Sequence, residues 1–281
     1  MAPTITLNEA AERLGLHYMT VYRYVRTGRL RATKVGAEWR VDPAAVEALR
    51  HPPSVPAVGR RKVDYTPRLV DRLVAGDEPG AWGVVEAALA SGLDPNTAYE
   101  SLLARSMQQI GEGWDAGTFS VADEHTASAV MMRLIGRLGP QLRQRGRTRG
   151  SVIVGAPPGD LHGVPVALLA DQLRARRFKV QDLGANVPAE SFAEAARDAE
   201  RPIAVAIGAT TGDNERSIRA AVRATRDMVD VPILLGGGAI TDAAHAARLG
   251  ADAWAARAPE VIDVIEAIAR GRDLPPASVP A

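Results

Sequence analysis

Asp160-Leu161-His162 is the clearest chemical group in this sequence. It follows the apolar run Ser151-Val-Ile-Val-Gly155 and the turn-forming Ala156-Pro-Pro-Gly159, so it is expected just past the carboxyl end of a buried strand. An imidazole two residues after a carboxylate can bind a metal through one ring nitrogen while the carboxylate orients it through the other. No cluster of histidines or carboxylates accompanies His162 in sequence, and the chain has no cysteine. A zinc site built by a protein needs three or four ligands. A single imidazole is enough only for a metal that brings its own equatorial ligands, which points to a macrocycle.

Two further loops suit a large flat ligand. Gly208-Ala-Thr210-Thr211-Gly212 sets hydroxyls after one expected strand, and Gly236-Gly237-Gly238 after the next offers backbone without Cβ atoms. Phosphate cradling would also use glycines, yet neither the P-loop lysine nor the spaced dinucleotide fingerprint is present. A second candidate pair, Glu124-His125, opens an alanine-rich helix ten residues after Trp114. A helix N-terminus favours glutamate through its dipole alone, so this pair acquires meaning only from what faces it. Of the other histidines, His17 stands where a helix cap is expected, His51 reads as exposed and inert, and His245 reads as a surface residue.

The elements that must position these residues fall into three stretches. Residues 150–272 alternate strand and helix five times, with strands at 151–155, 179–183, 203–208, 232–235 and 253–256. Such alternation specifies a parallel sheet covered on both faces, with ligands bound beyond the carboxyl ends of the strands. Residues 67–146 carry four segments of helical spacing, 67–75, 78–90, 95 to about 110 and 121–143, joined by short glycine-containing links, and so read as a four-helix bundle. Residues 1–50 begin with Thr6-Leu-Asn-Glu9, a capping-box spacing, and continue through helices ended by Gly15 and Thr27-Gly28. Two alternating segments around Gly36 follow, and then a helix started by Asp42-Pro43. Residues 51–66 are rich in proline and read as a linker, and 273–281 as a tail.

Apolar residues make up 46% and charged residues 24% of 281, a composition with ample core that excludes a disordered chain. Without cysteine there are no disulfides or thiol nucleophiles, and no signal pattern or long apolar run is found, so a cytoplasmic protein without a membrane span is expected. Residues 1–62 hold eleven Lys and Arg against five acids, whereas the remainder holds 23 against 28. That asymmetry suggests that one end meets a polyanion. No catalytic dyad stands out, and a non-enzyme is expected.

The run "TVYRYVRTGRLRATKVGAEWRV" resembles small winged helix-turn-helix domains of the excisionase and MerR-like kind. The resemblance implies DNA contact by Tyr22, Arg23 and Arg26 on the second helix, with Arg29, Arg31, Lys34 and Arg40 as phosphate partners around the wing. The C-terminal stretch looks like a cobalamin-binding protein. That family's D-x-H-x-x-G motif is met by Asp160 and His162 but departs at its last position, where Pro165 stands and Gly163 is the candidate substitute, and it is followed by Thr210 or Thr211 and by Gly237-Gly238. His162 would then be the lower axial cobalt ligand, with the dimethylbenzimidazole tail in a channel beside Gly236 to Gly238.

Trp114, nine residues, then Glu124-His125 is similar to the cap of CarH/LitR-like adenosylcobalamin photoreceptors. There Trp114 would pack on the adenosyl group, Glu124 would bond to it, and His125 would support that face or reach cobalt after photolysis, with Asp115 where relatives carry a second histidine. The fold class implied is multidomain α and α/β: a winged helix-turn-helix, a four-helix bundle cap and a flavodoxin-like five-stranded cobalamin-binding domain. The function implied is a light-responsive transcriptional regulator. Its adenosylcobalamin chromophore would control a homo-oligomer on a double-stranded DNA operator. The alternatives are a corrinoid carrier for methyl transfer and a light-independent cobalamin sensor. The attached helix-turn-helix and the absence of a methyltransferase barrel in the chain favour the regulator at this stage.

Overall fold

Thr6 and Glu9 bond to each other: the Glu9 amide donates to Thr6 Oγ1 at 3.2 Å and the Thr6 amide to Glu9 Oε2 at 2.7 Å. This reciprocal cap starts α1 (Leu7–Leu14). The computed structural model describes residues 4–14, 17–26, 30–36, 38–50, 63–142, 144 and 146–271. They fall in two units, Met1–Val63 and Asp64–Ala281. Gly15, Thr27-Gly28, Arg29, most of the linker and the tail lie outside the described residues.

In the first unit α1 is followed by α2 (Tyr18–Arg26), β2 (Ala32–Val35), β3 (Glu38–Val41) and α3 (Pro43–Arg50). His17 does act as a cap, since the Met19 amide donates to its Nδ1 at 3.3 Å. Gly36 takes φ +62° at the bend between β2 and β3. A two-residue strand, β1 (Ile5–Thr6), pairs with β3 and gives the order β1-β3-β2, a strand too short for sequence periodicity to signal. Leu7, Ala10, Val21, Leu30, Val41 and Val46 form the core, and Trp39 packs against it.

The second unit opens with helices α4 (Thr66–Val74) and α5 (Glu78–Ala90). A third helical run follows, from α6 (Pro95–Ala98) through a π-helical segment, Tyr99–Ala104, into α7 (Arg105–Asp115), and then α8 (Val121–Leu142). The third run therefore continues past Ile110, the expected stop, to Asp115. Gly111 and Gly113 do not break it. A Cβ on Gly113 would lie 2.4 Å from the Phe119 ring, so that glycine admits a packed aromatic and not a turn. The connecting loop is Ala116–Ser120, and Ser120 with Asp123 caps α8.

The sheet holds β4 (Ser151–Gly155), β5 (Lys179–Asp182), β6 (Pro202–Gly208), β7 (Ile233–Gly236) and β8 (Ala253–Ala255). All pairings are parallel, in the order β5-β4-β6-β7-β8. The chain leaves β4 first to one side and then to the other, so the crevice for a ligand opens at the carboxyl ends of β4 and β6. Helices α9 (Gly163–Ala175), α10 (Ala189–Asp198), α11 (Glu215–Met228), α12 (Ala243–Arg248) and α13 (Ala258–Ala269) cover the sheet. His245 is not a surface residue: it is 8% exposed, with Nε2 3.0 Å from Glu215 Oε1. Its short helix packs onto the sheet, so little of it faces water.

Helix α9 belongs to two cores at once. Val166, Ala170 and Leu173 face the sheet, whereas Val164, Ala167, Leu168 and Ala175 join Leu134 and Leu138 of α8. A polar contact pins this seam: the buried Tyr99 hydroxyl donates to Asp171 Oδ2 at 3.0 Å, and Arg174 holds Oδ1 at 2.9 Å. Burial, reinforced by the Asp171 charge, pushes the Tyr99 hydroxyl far above its ordinary pKa, so it stays a donor. Tyr99→Phe removes a hydrogen bond to a charged acceptor and is expected to cost about 1.5–3 kcal/mol. Urea denaturation checks this, and an unchanged midpoint would refute it. Among the described residues no helix is long and apolar enough to cross a membrane.

Candidate functional site

The loop after β4 carries Asp160 and His162 as the sequence implies. Asp160 is fully buried and serves as an acceptor for three donors. Its Oδ1 takes the His162 amide at 3.0 Å and the His162 ring Nδ1 at 2.9 Å, and its Oδ2 takes the Thr210 amide at 2.6 Å. A ring nitrogen facing a carboxylate carries a proton, which leaves Nε2 as the ring position available to another partner. Nε2 has no hydrogen-bond partner among the described residues, and the ring is 43% exposed. His162 is the residue from which α9 starts, so the loop and the helix fix it together.

Beside the ring lies a cavity of about 150 Å³. It is lined by His162, Thr210, Gly208, Gly236 and Gly237 together with the apolar Pro165, Val166, Leu169 and Val261. Two glycines are fixed by close backbone. A Cβ on Gly236 would lie 2.8 Å from the Ala255 carbonyl oxygen, and one on Gly237, at φ +97°, 2.3 Å from that of Ala209. Gly238 faces open space. Pro165, which departs from the sequence motif, sits in the first turn of α9, where a missing N–H leaves no helical bond unmade.

The structure thus brings together Asp160, His162, Thr210, Gly236 and Gly237. Gly163 begins α9, and Thr211 and Gly238 do not line the cavity. Trp114, 49% exposed, ends α7, and Glu124-His125 opens α8 across the short loop, so the three share one end of the helices. Glu124 Oε1 accepts from Ser128 Oγ at 2.6 Å and Oε2 lies 2.7 Å from His125 Nδ1. No hydrogen bond or ion pair among the described residues joins this group to the His162 loop. Ser128 and Leu169 escaped the sequence reading, which noted Pro165 only as a departure from the motif and not as a wall of the cavity. Spacing from Glu124 along a helix could have found Ser128, but nothing marks an apolar wall residue before the fold is known.

The residues fit a metal held in a macrocycle. One imidazole, fixed through Nδ1 by a buried carboxylate, offers a single nitrogen donor. Among the described residues no group of three or more His, Asp or Glu could hold an ion by itself. Comparison with known proteins agrees. Two models described as B12 binding domain match residues 67–138 and 150–265, and a helix-turn-helix domain model matches residues 4–50.

The matches support a cobalamin-binding protein. Similar curated proteins include trimethylamine corrinoid protein 1 of Methanosarcina acetivorans, 28% identical over 212 residues, covering 74% of this chain and 98% of that protein. The dimethylamine corrinoid protein of Methanosarcina barkeri is 26% identical over 207 residues, covering 72% and 95%. The structure of the Methanosarcina barkeri monomethylamine corrinoid protein aligns with TM-score 0.60 and 23% identity over 70% of this chain and 94% of that one, a likeness of fold.

These relatives correct the functional expectation. They are corrinoid proteins named for methylated amines, so the light-responsive regulator, and with it the light-controlled homo-oligomer on a DNA operator, is withdrawn. In the first unit Tyr22 stacks on Tyr18 at 6.3 Å and packs against the core, and Arg40 pairs with Glu38 at 3.0 Å. Arg26, Arg31 and Lys34 are exposed, Arg23 lies on α2, and Arg29 is outside the described residues. A solvated basic face accounts for such a pattern. The eleven basic residues within 1–62 misled because charge asymmetry reports on possible partners and not on fold.

Proposed function

We propose that this cobalamin-binding chain is a corrinoid carrier for methyl transfer, with methylated amines as the class of methyl source. The observation that carries it is the Asp160-held imidazole of His162, which lines the same cavity as Gly236 and Gly237. Support comes from corrinoid relatives aligned over nearly their whole length, 98% of trimethylamine corrinoid protein 1. When bound, a corrinoid supplies a cobalt centre able to accept and release a methyl group.

His162 would hold that cobalt through its ring, and Asp160 would orient the ring through Nδ1. The cavity beside Gly236 and Gly237 would receive the displaced tail, with Thr210 lining it and Thr211, Gly163 and Gly238 outside it. Residues 67–146 would act as a four-helix cap over a holder formed by 150–272, and residues 1–50 would be an attached winged helix-turn-helix module. Trp114, Glu124 and His125 would close the upper face and exclude water from it. The adenosyl group expected from the sequence gives way in this reading to an exchangeable methyl group.

The test uses the full chain loaded with hydroxocobalamin, reduced, and treated with labelled methyl iodide and then with a corrinoid-dependent methyltransferase and a thiol acceptor. Label is expected to pass through the protein to the thiol. His162→Ala is expected to weaken cobalamin binding at least as much as loss of an outer-shell partner, about 10–100-fold. Loaded protein that passes no label would sink the carrier reading, and unchanged cobalamin affinity in the variant would sink the ligand assignment.

A further inference from the structure

The segment 156–163 must hold an imidazole still, yet it contains two prolines and two glycines. Prolines donate no hydrogen bond, and glycines carry the largest conformational entropy. Apart from the His162 bonds to Asp160 Oδ1, its internal bonds are two backbone ones, the Asp160 amide to the Pro157 carbonyl at 3.0 Å and the Gly163 amide to that of Leu161 at 3.0 Å. Order must come from outside. The connection after β5 supplies most of it. The Ala156 amide donates to Gly184 and the Val187 amide to Ala156, both at 2.9 Å.

Between them lies Asn186. Its backbone amide donates to the Asp160 carbonyl at 2.8 Å, and its side-chain Oδ1 accepts the Gly159 amide at 2.8 Å. Asn186 therefore grips Gly159, which precedes the Asp160-Leu161-His162 turn, and Asp160, which opens it, once as acceptor and once as donor. To reach both it takes φ +55°, a left-handed conformation that asparagine tolerates better than most side chains. Its side chain is exposed, so core packing does not account for it. From the other flank Asn214 Nδ2 donates to the Pro158 carbonyl at 2.6 Å.

We propose that Asn186 is a positioning residue that sets the aim of His162, acting through Gly159 and Asp160 and touching neither ligand nor metal. This rests on the corrinoid reading for its consequence, but its local effect does not need a ligand. Three variants of the full chain separate the two demands on the position. Asn186→Gly keeps the left-handed backbone and deletes the acceptor, Asn186→Asp keeps an acceptor, and Asn186→Ala loses both.

Without ligand, the Gly159 amide is expected to exchange hydrogen about 5–10-fold faster in the glycine and alanine variants, as loss of one hydrogen bond implies, and at the parental rate in the aspartate variant. With hydroxocobalamin bound and reduced to the Co(II) state, the same two variants should bind about tenfold more weakly and lose part of the axial-nitrogen splitting in the electron paramagnetic resonance spectrum. The aspartate variant should recover both. If Asn186→Gly matches the parent in exchange and in splitting, only backbone conformation mattered and the proposal is overturned. If His162→Ala retains the splitting, the ligand assignment fails, while the exchange rates still decide whether Asn186 orders the loop. If His162→Ala loses it and Asn186→Ala does not, the positioning role alone is wrong.

Discussion

Asp160→Ala is expected to weaken cobalamin binding by about 10–100-fold, the range seen when the partner of a metal-ligating histidine is lost. Asp160 has no exposed surface and satisfies three donors, two from the His162 residue and one from the Thr210 amide. Alanine leaves those donors aimed at a void. The His162 ring, already part-exposed, can turn toward water, and its free nitrogen no longer points along one line. A donor kept from water costs about 1–3 kcal/mol, so the protein without ligand should also lose stability. Asp160→Asn separates volume from acceptor count. It fills the same space but places an NH2 group against either the Thr210 amide or the His162 donors, and it should therefore behave nearer to alanine than to the parent. Titration of the corrin absorbance measures the affinity and urea denaturation the stability. Binding by Asp160→Ala within twofold of the parent would show that the carboxylate does not orient the ring.

The chemistry of that loop was legible because it needs no partner from afar: the strand, the turn and the Asp160-Leu161-His162 spacing are all local. The central strands β4, β6 and β7 were legible for the same reason, since each is an apolar run bounded by glycine or proline and followed by a helical period. What could not be read depends on contacts between distant residues. The stretch from Gly111 looked like a link because glycine usually ends a helix, whereas the role of Gly113 is set by the Phe119 ring packed on it. His245 looked exposed among alanines, but a six-residue helix with Glu215 and Thr241 against it buries the ring. Asn186 carries no motif at all, because a left-handed asparagine that bonds a loop 27 positions away leaves only its identity in the sequence. Function was less legible still. The basic first stretch and the Trp114-to-Glu124 spacing suggested a light-driven regulator, whereas relatedness to methylamine corrinoid proteins favours a carrier.

The glycine run after β7 gives the second large effect, because its three members look alike in sequence and differ in space. Gly237→Ala is expected to destabilise the protein by at least about 3 kcal/mol. Part of that comes from the left-handed backbone, φ +97°, which costs a side-chain-bearing residue about 1–3 kcal/mol. The rest is steric. The added methyl would lie 2.3 Å from the Ala209 carbonyl oxygen and 2.9 Å from its carbon, and these backbone atoms cannot swing away as the end of a side chain can. Ala209 is held on both sides, donating to the Gly236 carbonyl at 2.8 Å and accepting from the Ala239 amide at 3.1 Å. Relief must therefore part the ends of β6 and β7, the two strands whose loops line the cavity. Cobalamin affinity should fall along with the melting temperature, which for a unit of this size drops about 2–4 °C per kcal/mol. Gly238→Ala is the internal control. Its Cβ meets nothing within 4 Å, so a change within about 0.5 kcal/mol is expected there. Equal losses in the two variants would mean that the run is a generic flexible loop and that the close approach of Gly237 to Ala209 does not shape the cavity.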